Sequence, residues 1–389
     1  MSNFNLDWLL YPQNKAFFIQ EVFEKNFLHI TRSPSTYFNS FLNLENLDEL
    51  LGSRQFRFPS LRLTKAGEEL TSEKYSKDKN IDAALVQKYF LDGYTIILNA
   101  LHEQFPNLGE MVNGLSNELG HPFQTNVYIT PPNSQGFPAH YDTHDVFVLQ
   151  IEGSKKWRIY KNSPVILPTK QMEFQKEKHP APDSFTELEL KKGDLLYIPR
   201  GMMHDAQTNL DLSIHVTLGW LGYTWTDILV QMLLEYSKNE VALRKFVDPF
   251  KSWNSEDMKY AFNDVLNQFS ENSQIQNSLN QFRLELASGQ RFFFGDMLKN
   301  VTKYNHFPLN AIFSKRSNLF VELDKSSDEV ILRLGARAIT FPIFTFNTLE
   351  FVVVSEKPFT IKQLPDDLDE DGKIVLLKRL LKEGIITFI

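Results

Sequence analysis

A mixed α+β chain, with a β-sandwich or jelly roll over residues 1–222, is what this sequence predicts. Short β-rich runs follow one another densely between Thr125 and Trp220. Turn-forming residues punctuate them at positions 131–136, 152–154 and 192–194. After Trp220 the apolar spacing changes to that of helices.

Taken in order, residues 125–130 are rich in β-branched and aromatic side chains and predict a strand. Pro131, Pro132, Asn133 and Gly136 make the next stretch a loop. Residues 145–151 are apolar almost without interruption, as expected of a strand buried on both faces. Alternation resumes at 155–160 and again at 185–190, and Lys192, Gly193 and Asp194 then form a turn. Residues 195–198 are apolar and extended, and Pro199 and Gly201 break that strand so that His204 falls near a rim. From Leu212 to Trp220 the alternation is strict. Leu212, Ile214, Val216, Leu218 and Trp220 share one face, and Ser213, His215, Thr217 and Gly219 share the other, which meets either water or a pocket.

Helical spacing then takes over. Thr224 is the expected cap of a helix over 224–234, with Asp227 three residues on and a stripe of Ile228, Leu229, Met232 and Leu233. A second helix is predicted over 255–269, with Met258, Phe262, Val265, Leu266 and Phe269 on one side, and a third over 274–287. Near the end, 329–334 and 338–341 predict a hairpin around Gly335, and 344–354 a helix. Residues 371–381 predict a stronger helix with Ile374, Leu377, Leu380 and Leu381 on one side and Gly384 as its stop, and 385–389 a closing strand. Three domains follow: 1–222, 223–300 and 301–389.

Composition narrows the function. A chain of 389 residues with 42% hydrophobic content can bury a full core. The net charge of −7 and pI near 5.8 argue against non-specific nucleic-acid binding and tolerate a basic protein substrate. With no cysteine, thiolate catalysis, disulfides and Cys-based metal centres are excluded. No basic segment precedes an apolar run at the start, and no long uncharged apolar stretch follows, so a soluble, cytoplasmic protein is expected.

Chemistry concentrates at His140, Asp142 and His204. Side chains two apart on an extended segment point the same way, so His140 and Asp142 can reach one metal. Two imidazoles and a carboxylate occupy one face of an octahedral ion and leave the other open, which suits non-haem Fe(II) oxygen chemistry. With nine histidines a chance His-x-Asp is about an even bet, so the surrounding strands and the third histidine carry the weight. His144 lies past the ligand pair and is expected at the rim. Lys155 alternates with Trp157 and Ile159 and so faces inward, where a buried ammonium needs an anion; the competing expectation is a solvated turn lysine beside Lys156.

The stretch from Asn126 through His140, Tyr141 and Asp142 to Phe147–Gln150, with Trp157, Arg158 and the run from Gly193 to Gly201, resembles the JmjC-type ribosomal oxygenases. These are cupin-like Fe(II)/2-oxoglutarate protein hydroxylases. The likeness is dense from Asn126 to Leu218, and residues 17–32 resemble the family's opening segment. What it implies is a double-stranded β-helix, then a helical dimerisation domain, then a winged-helix-like C-terminal domain. It implies His140, Asp142 and His204 as metal ligands, and Lys155 as partner of the distal carboxylate of 2-oxoglutarate. Asn126, Tyr128, Thr217 and His215 fall on strands that line the cosubstrate pocket. Gly219 departs from relatives that carry a hydroxyl there.

The implied reaction uses Fe(II), 2-oxoglutarate and O2 to hydroxylate a histidyl or arginyl residue of a ribosomal protein, and the 130–136 loop resembles the histidine-directed branch. Implied too is a homodimer that touches no membrane. From Glu350 onward six Lys or Arg face eight Asp or Glu, so a protein-contact role for the last domain is expected over nucleic-acid binding. A 2-oxoglutarate oxygenase acting on another peptide or a small biosynthetic substrate, a non-oxygenase metal-dependent cupin, and a metal-free binding module are the alternatives.

Overall fold

The computed structural model describes residues 4–389 except 54, 55, 251, 253, 291–294, 317, 318, 320 and 336. It divides into two compact units, one formed by residues 1–222, 291–334 and 338–389, the other by 223–290 with 335–337.

In the first unit an eight-stranded sheet runs Leu28–Ile30, Leu195–Ile198, Asp145–Glu152, Ser213–Trp220, Phe123–Thr130, Thr95–Leu98, Leu61–Lys65, Glu68–Glu69. Facing it is a smaller sheet in the order Phe185–Lys191, Ser154–Tyr160, His204–Gln207. Every strand pair of known register in both is antiparallel. Two sheets face to face with crossing connections are the jelly-roll arrangement. Asp145–Glu152 shows why its sequence is so apolar. Val146 and Val148 pack between the sheets with Trp157, Ile159, Leu190, Leu196 and Ile198, while Phe147, Leu149 and Ile151 pack on the outer side of the large sheet.

The alternation of the strand Ser213–Trp220 now has a direction. Ile214, Val216 and Leu218 join the outer core, and His215 and Thr217 turn to the space between the sheets. The polar face therefore lines a pocket, not solvent. Leu6–Leu10, the helix Ala83–Leu91 and the helix Pro106–Leu119 supply Leu6, Leu9, Leu10, Val86, Leu108, Met111, Val112 and Leu115 to that outer core.

The last segment has its own apolar core, built on the helices Phe346–Val354 and Glu370–Lys382. Its strand Ile312–Lys315 lies between Phe359–Thr360 and Ile386–Phe388, and a second sheet centres on Glu329–Leu334. Asp369 caps the longer helix by accepting from the Gly372 amide, and Gly384 beyond its end has φ 77°.

In the other unit the helix Trp225–Asn239 starts at a capping box between Thr224 and Asp227 and runs five residues past the predicted end. The helices Glu256–Asn272 and Ile275–Gly289 follow. No helix among the described residues is long and apolar enough to cross a membrane.

Candidate metal and cosubstrate site

His140 and His204 meet because their backbones pair. Each donates its amide to the other's carbonyl, at 3.0 and 2.7 Å, as an isolated antiparallel bridge. The predicted extended segment around His140 is thus a single bridge, not a strand, and it docks on the start of the strand His204–Gln207. Asp142 is held by its carbonyl, which accepts from the Gly201 amide at 2.9 Å. Gly201, with φ 82°, sits where a Cβ would come within 2.5 Å of the Val165 carbonyl oxygen. Only glycine turns the chain here without strain.

The ligand atoms of His140, Asp142 and His204 all lie within 4.8 Å of one another, and the two rings are 4.7 Å apart. Nδ1 of His140 donates to the Pro138 carbonyl at 2.9 Å, and Nδ1 of His204 to the Met202 carbonyl at 3.0 Å. A carbonyl can only accept, so both protons sit on Nδ1 and both Nε2 lone pairs are free for a metal. The Nε2 of His204 is 3.8 Å from Oδ2 of Asp142. Burial, aided by the neighbouring His140, lowers the His204 pKa to about 4, so this imidazole is neutral near pH 7. Burial alone would raise the Asp142 carboxyl, but His140, His204 and His144 outweigh it and hold it below the usual carboxylate range.

Beside this cluster is a cavity of about 230 Å³ that runs between the sheets. His140, Asp142 and His204 line it, as do Lys155, Tyr128, His215 and Thr217. Lys155 is 4% exposed, and its Nζ donates to Thr130 Oγ1 at 3.1 Å. It has no carboxylate partner among the described residues, and burial lowers its pKa to about 7. The ring of His215 stacks on Tyr128 at 4.9 Å with 6° between the planes, and the edge of Trp157 closes on it at 5.7 Å. Nδ1 of His215 is buried with no hydrogen-bond partner. Burial and the nearby Lys155 push the His215 pKa well down. Tyr128 is pushed up to about 12, by burial first and by Asp142 second, so its hydroxyl keeps its proton.

Asn126 is placed differently from the other predicted residues. Its side-chain oxygen accepts from the Ala100 amide at 3.1 Å, and its side chain also hydrogen-bonds the Tyr128 hydroxyl, so it reaches the cavity through that residue. Sequence reasoning missed Thr95 and Thr130, whose hydroxyls lie 3.3 Å apart and lead to Lys155. It also missed Phe137, Val146, Val148 and Trp157 as walls of the cavity, although the inward alternation of Trp157 with Lys155 was a usable signal. His144 stands outside the ligand cluster.

Residues 101–228 match the model of the JmjC domain family. The chain carries a JmjC domain. Among curated proteins, the domain and its flanks are 29% identical over 260 residues to a bifunctional lysine-specific demethylase and histidyl-hydroxylase NO66 from Drosophila mojavensis, covering 64% of this chain and 29% of that one. They are 28% identical over 241 residues to human ribosomal oxygenase 1, covering 58% and 36%. The match thus spans well under half the length of these relatives. Among solved structures, the Escherichia coli ribosomal oxygenase YcfD superposes with a TM-score of 0.56 at 15% identity, over 97% of this chain and 98% of that one. The JmjC domain thus has the cupin-like fold and the ribosomal-oxygenase relatives that its motifs resemble.

Proposed function

We propose that the chain is an Fe(II)- and 2-oxoglutarate-dependent protein hydroxylase acting on a histidyl or arginyl residue of a ribosomal protein. One observation carries this reading: a two-histidine, one-carboxylate cluster with both Nε2 atoms free opens into a cavity that also holds a buried, unpaired lysine. The donor set suits ferrous iron. The other end suits a dicarboxylate, because Lys155 and the orphaned His215 Nδ1 are desolvated groups waiting for an anionic oxygen. Iron, 2-oxoglutarate and O2 would together supply the oxidising power to hydroxylate an unactivated C–H bond. The protein's residues bind, orient and shield. His140, Asp142 and His204 hold the ion; Lys155, with Thr130 behind it, fixes the far carboxylate; Tyr128 and Thr217 offer hydroxyls along the cavity; Trp157, Val146 and Val148 exclude water.

The relatives' names support this reading: NO66 is named as a histidyl-hydroxylase and lysine-specific demethylase, and the E. coli structure has been described in complex with cobalt and 2-oxoglutarate. Anaerobic binding of Fe(II) and 2-oxoglutarate, followed by mass spectrometry of ribosomal proteins for one added oxygen, tests it. Binding of neither would leave a metal-dependent cupin of another class. Binding with no oxidised ribosomal protein would turn attention to other peptides.

Residues 223–300 are proposed as a dimerisation domain. The helix Trp225–Asn239 buries none of its residues, and Trp225, Leu229, Val230, Leu233 and Leu234 are all exposed. A second copy is the occupant that such an apolar face fits. Residues 301–389 are proposed as a winged-helix-like module for protein contacts, given the acidic run from Asp366 to Asp371. A cytoplasmic location accords with all of this.

A further inference from the structure

All three candidate ligands depend on one short segment, residues 199–204. It carries His204, its Gly201 amide holds the Asp142 carbonyl, and its His204 backbone pairs with His140. Whatever fixes this segment therefore governs how the ion is gripped. Its backbone amides are all accounted for. Gly201 and His204 donate to Asp142 and His140, and Met202 donates to Pro199 within the segment at 3.2 Å. The His204 end is tied to its surroundings through Met203, whose amide donates to the Ser163 hydroxyl at 2.7 Å and whose carbonyl accepts from Tyr160 at 2.9 Å. The Arg200 end, where the chain leaves the large sheet, is tied by Asp145, whose carboxylate accepts from the Arg200 amide at 3.0 Å.

Asp142 and Asp145 thus act as a pair. Three residues apart on one segment, they take successive amides of another, Asp142 through its carbonyl and Asp145 through its side chain. Asp145 is outside the ligand cluster and 3% exposed. A buried carboxylate is costly unless its oxygens are hydrogen-bonded. This one also accepts from Nη1 of Arg200 at 3.2 Å and from the Tyr197 hydroxyl at 2.6 Å. Glu24 closes the circuit. Its carboxylate pairs with Nη1 of Arg200 at 2.6 Å, and its amide donates to the Tyr197 hydroxyl at 3.1 Å. The hydroxyl both accepts and donates, and the bonds to Asp145 are charge-assisted, so the four residues hold one another in a single arrangement.

We propose that Asp145 is a positioning residue for the metal site, the centre of a clamp with Tyr197, Arg200 and Glu24 that fixes the turn at 200–201 and, through it, Asp142. This rests on the metal-site reading above and adds to it residues outside the ligand set. A carboxylate that served the core alone would affect stability alone. A positioning carboxylate also sets the angle at which Asp142 meets the ion, so its loss relaxes the coordination geometry in a chain that is still folded.

The test titrates Co(II) into the full metal-free chain and reads two quantities, affinity and the visible absorption of the bound ion, which follows its coordination geometry. Asp145→Ala should weaken Co(II) binding by about tenfold or more and shift the visible bands at saturating metal. Asp145→Asn keeps an acceptor for the Arg200 amide and should bind more tightly than the alanine variant. Tyr197→Phe removes one hydroxyl from the clamp and should change both readouts in the same direction, and the double variant Asp145→Ala with Tyr197→Phe should lose less than the sum of the two. Leu115→Ala, which opens a cavity in the outer core, is the control: it should lower the melting temperature with wild-type affinity and bands. Wild-type affinity and bands in Asp145→Ala and Tyr197→Phe overturn the assignment, as does an equal loss in Leu115→Ala. Should Asp145→Ala fail to fold, Asp145→Asn and Tyr197→Phe decide between the same outcomes. Failure of wild type to bind Co(II) instead overturns the metal-site reading beneath it.

Discussion

Replacing Lys155 by methionine separates a cosubstrate anchor from a structural cation. The lysine is 4% exposed, its one hydrogen bond is to Thr130, and its pKa falls from 10.5 to about 7 because the charged form is desolvated. A lowering of that size represents roughly 5 kcal/mol of unfavourable charging in the free protein. Methionine has a similar reach and no charge, so the free protein should be as stable as wild type or more so. An incoming carboxylate would convert the penalty into a buried ion pair, and losing one partner of such a pair costs about 3–5 kcal/mol. Calorimetric titration of 2-oxoglutarate into the anaerobic Fe(II) protein should therefore show affinity reduced by about a hundredfold or more. The pH dependence has opposite signs for the two states. Because the folded, free lysine has a depressed pKa, the unfolded chain binds more protons between pH 7 and 10.5, and this group adds stability as pH rises through that window. Binding a dicarboxylate requires the proton back, so affinity should be flat below pH 7 and fall above it by up to about tenfold per unit. A variant with a lower melting temperature and unchanged 2-oxoglutarate affinity would refute the reasoning.

His204→Ala should weaken Fe(II) or Co(II) binding by roughly two orders of magnitude or more without lowering the stability of the metal-free protein, read by metal titration and thermal unfolding. Gly153→Ala adds a Cβ that would lie 1.8 Å from the Leu212 carbonyl oxygen at a residue with φ 63°, and urea unfolding should show a loss of roughly 2–4 kcal/mol. Changing Leu229 and Val230 together to Glu should shift the mass in sedimentation equilibrium from about twice 45.3 kDa to that of one chain, and a wild type already at one chain mass would end the dimer proposal.

What could be read in advance depended on how burial writes itself into sequence. The strand Asp145–Glu152 was legible because both of its faces are covered, which leaves an unbroken apolar run. The face of Ser213–Trp220 carrying His215 and Thr217 was not, since a pocket and water select similar polar residues. The helix Trp225–Asn239 was placed by its cap, but its last turns carry Glu235, Ser237, Lys238 and Asn239 and lack the stripe that would announce them. The strands Leu61–Lys65 and Thr95–Leu98 escaped notice altogether: they are short, and they exist because Phe123–Thr130 offers an edge to Thr95–Leu98, which pairs in turn with Leu61–Lys65. Thr95 was therefore invisible as a cavity residue. For His140, Asp142 and His204 the residue types pointed to a metal, but the mutual amide pairing that brings them together has no sequence signature.

That pairing is buttressed from outside. Two backbone hydrogen bonds join His140 to His204, and the connection between Tyr160 and Phe185 leans on both: the Ser163 hydroxyl accepts from the Met203 amide, and the Phe174 ring lies 6.5 Å from that of His140. A change of length or composition there would be felt at the two imidazoles themselves, so the loop's freedom to vary ends where Ser163 and Phe174 begin.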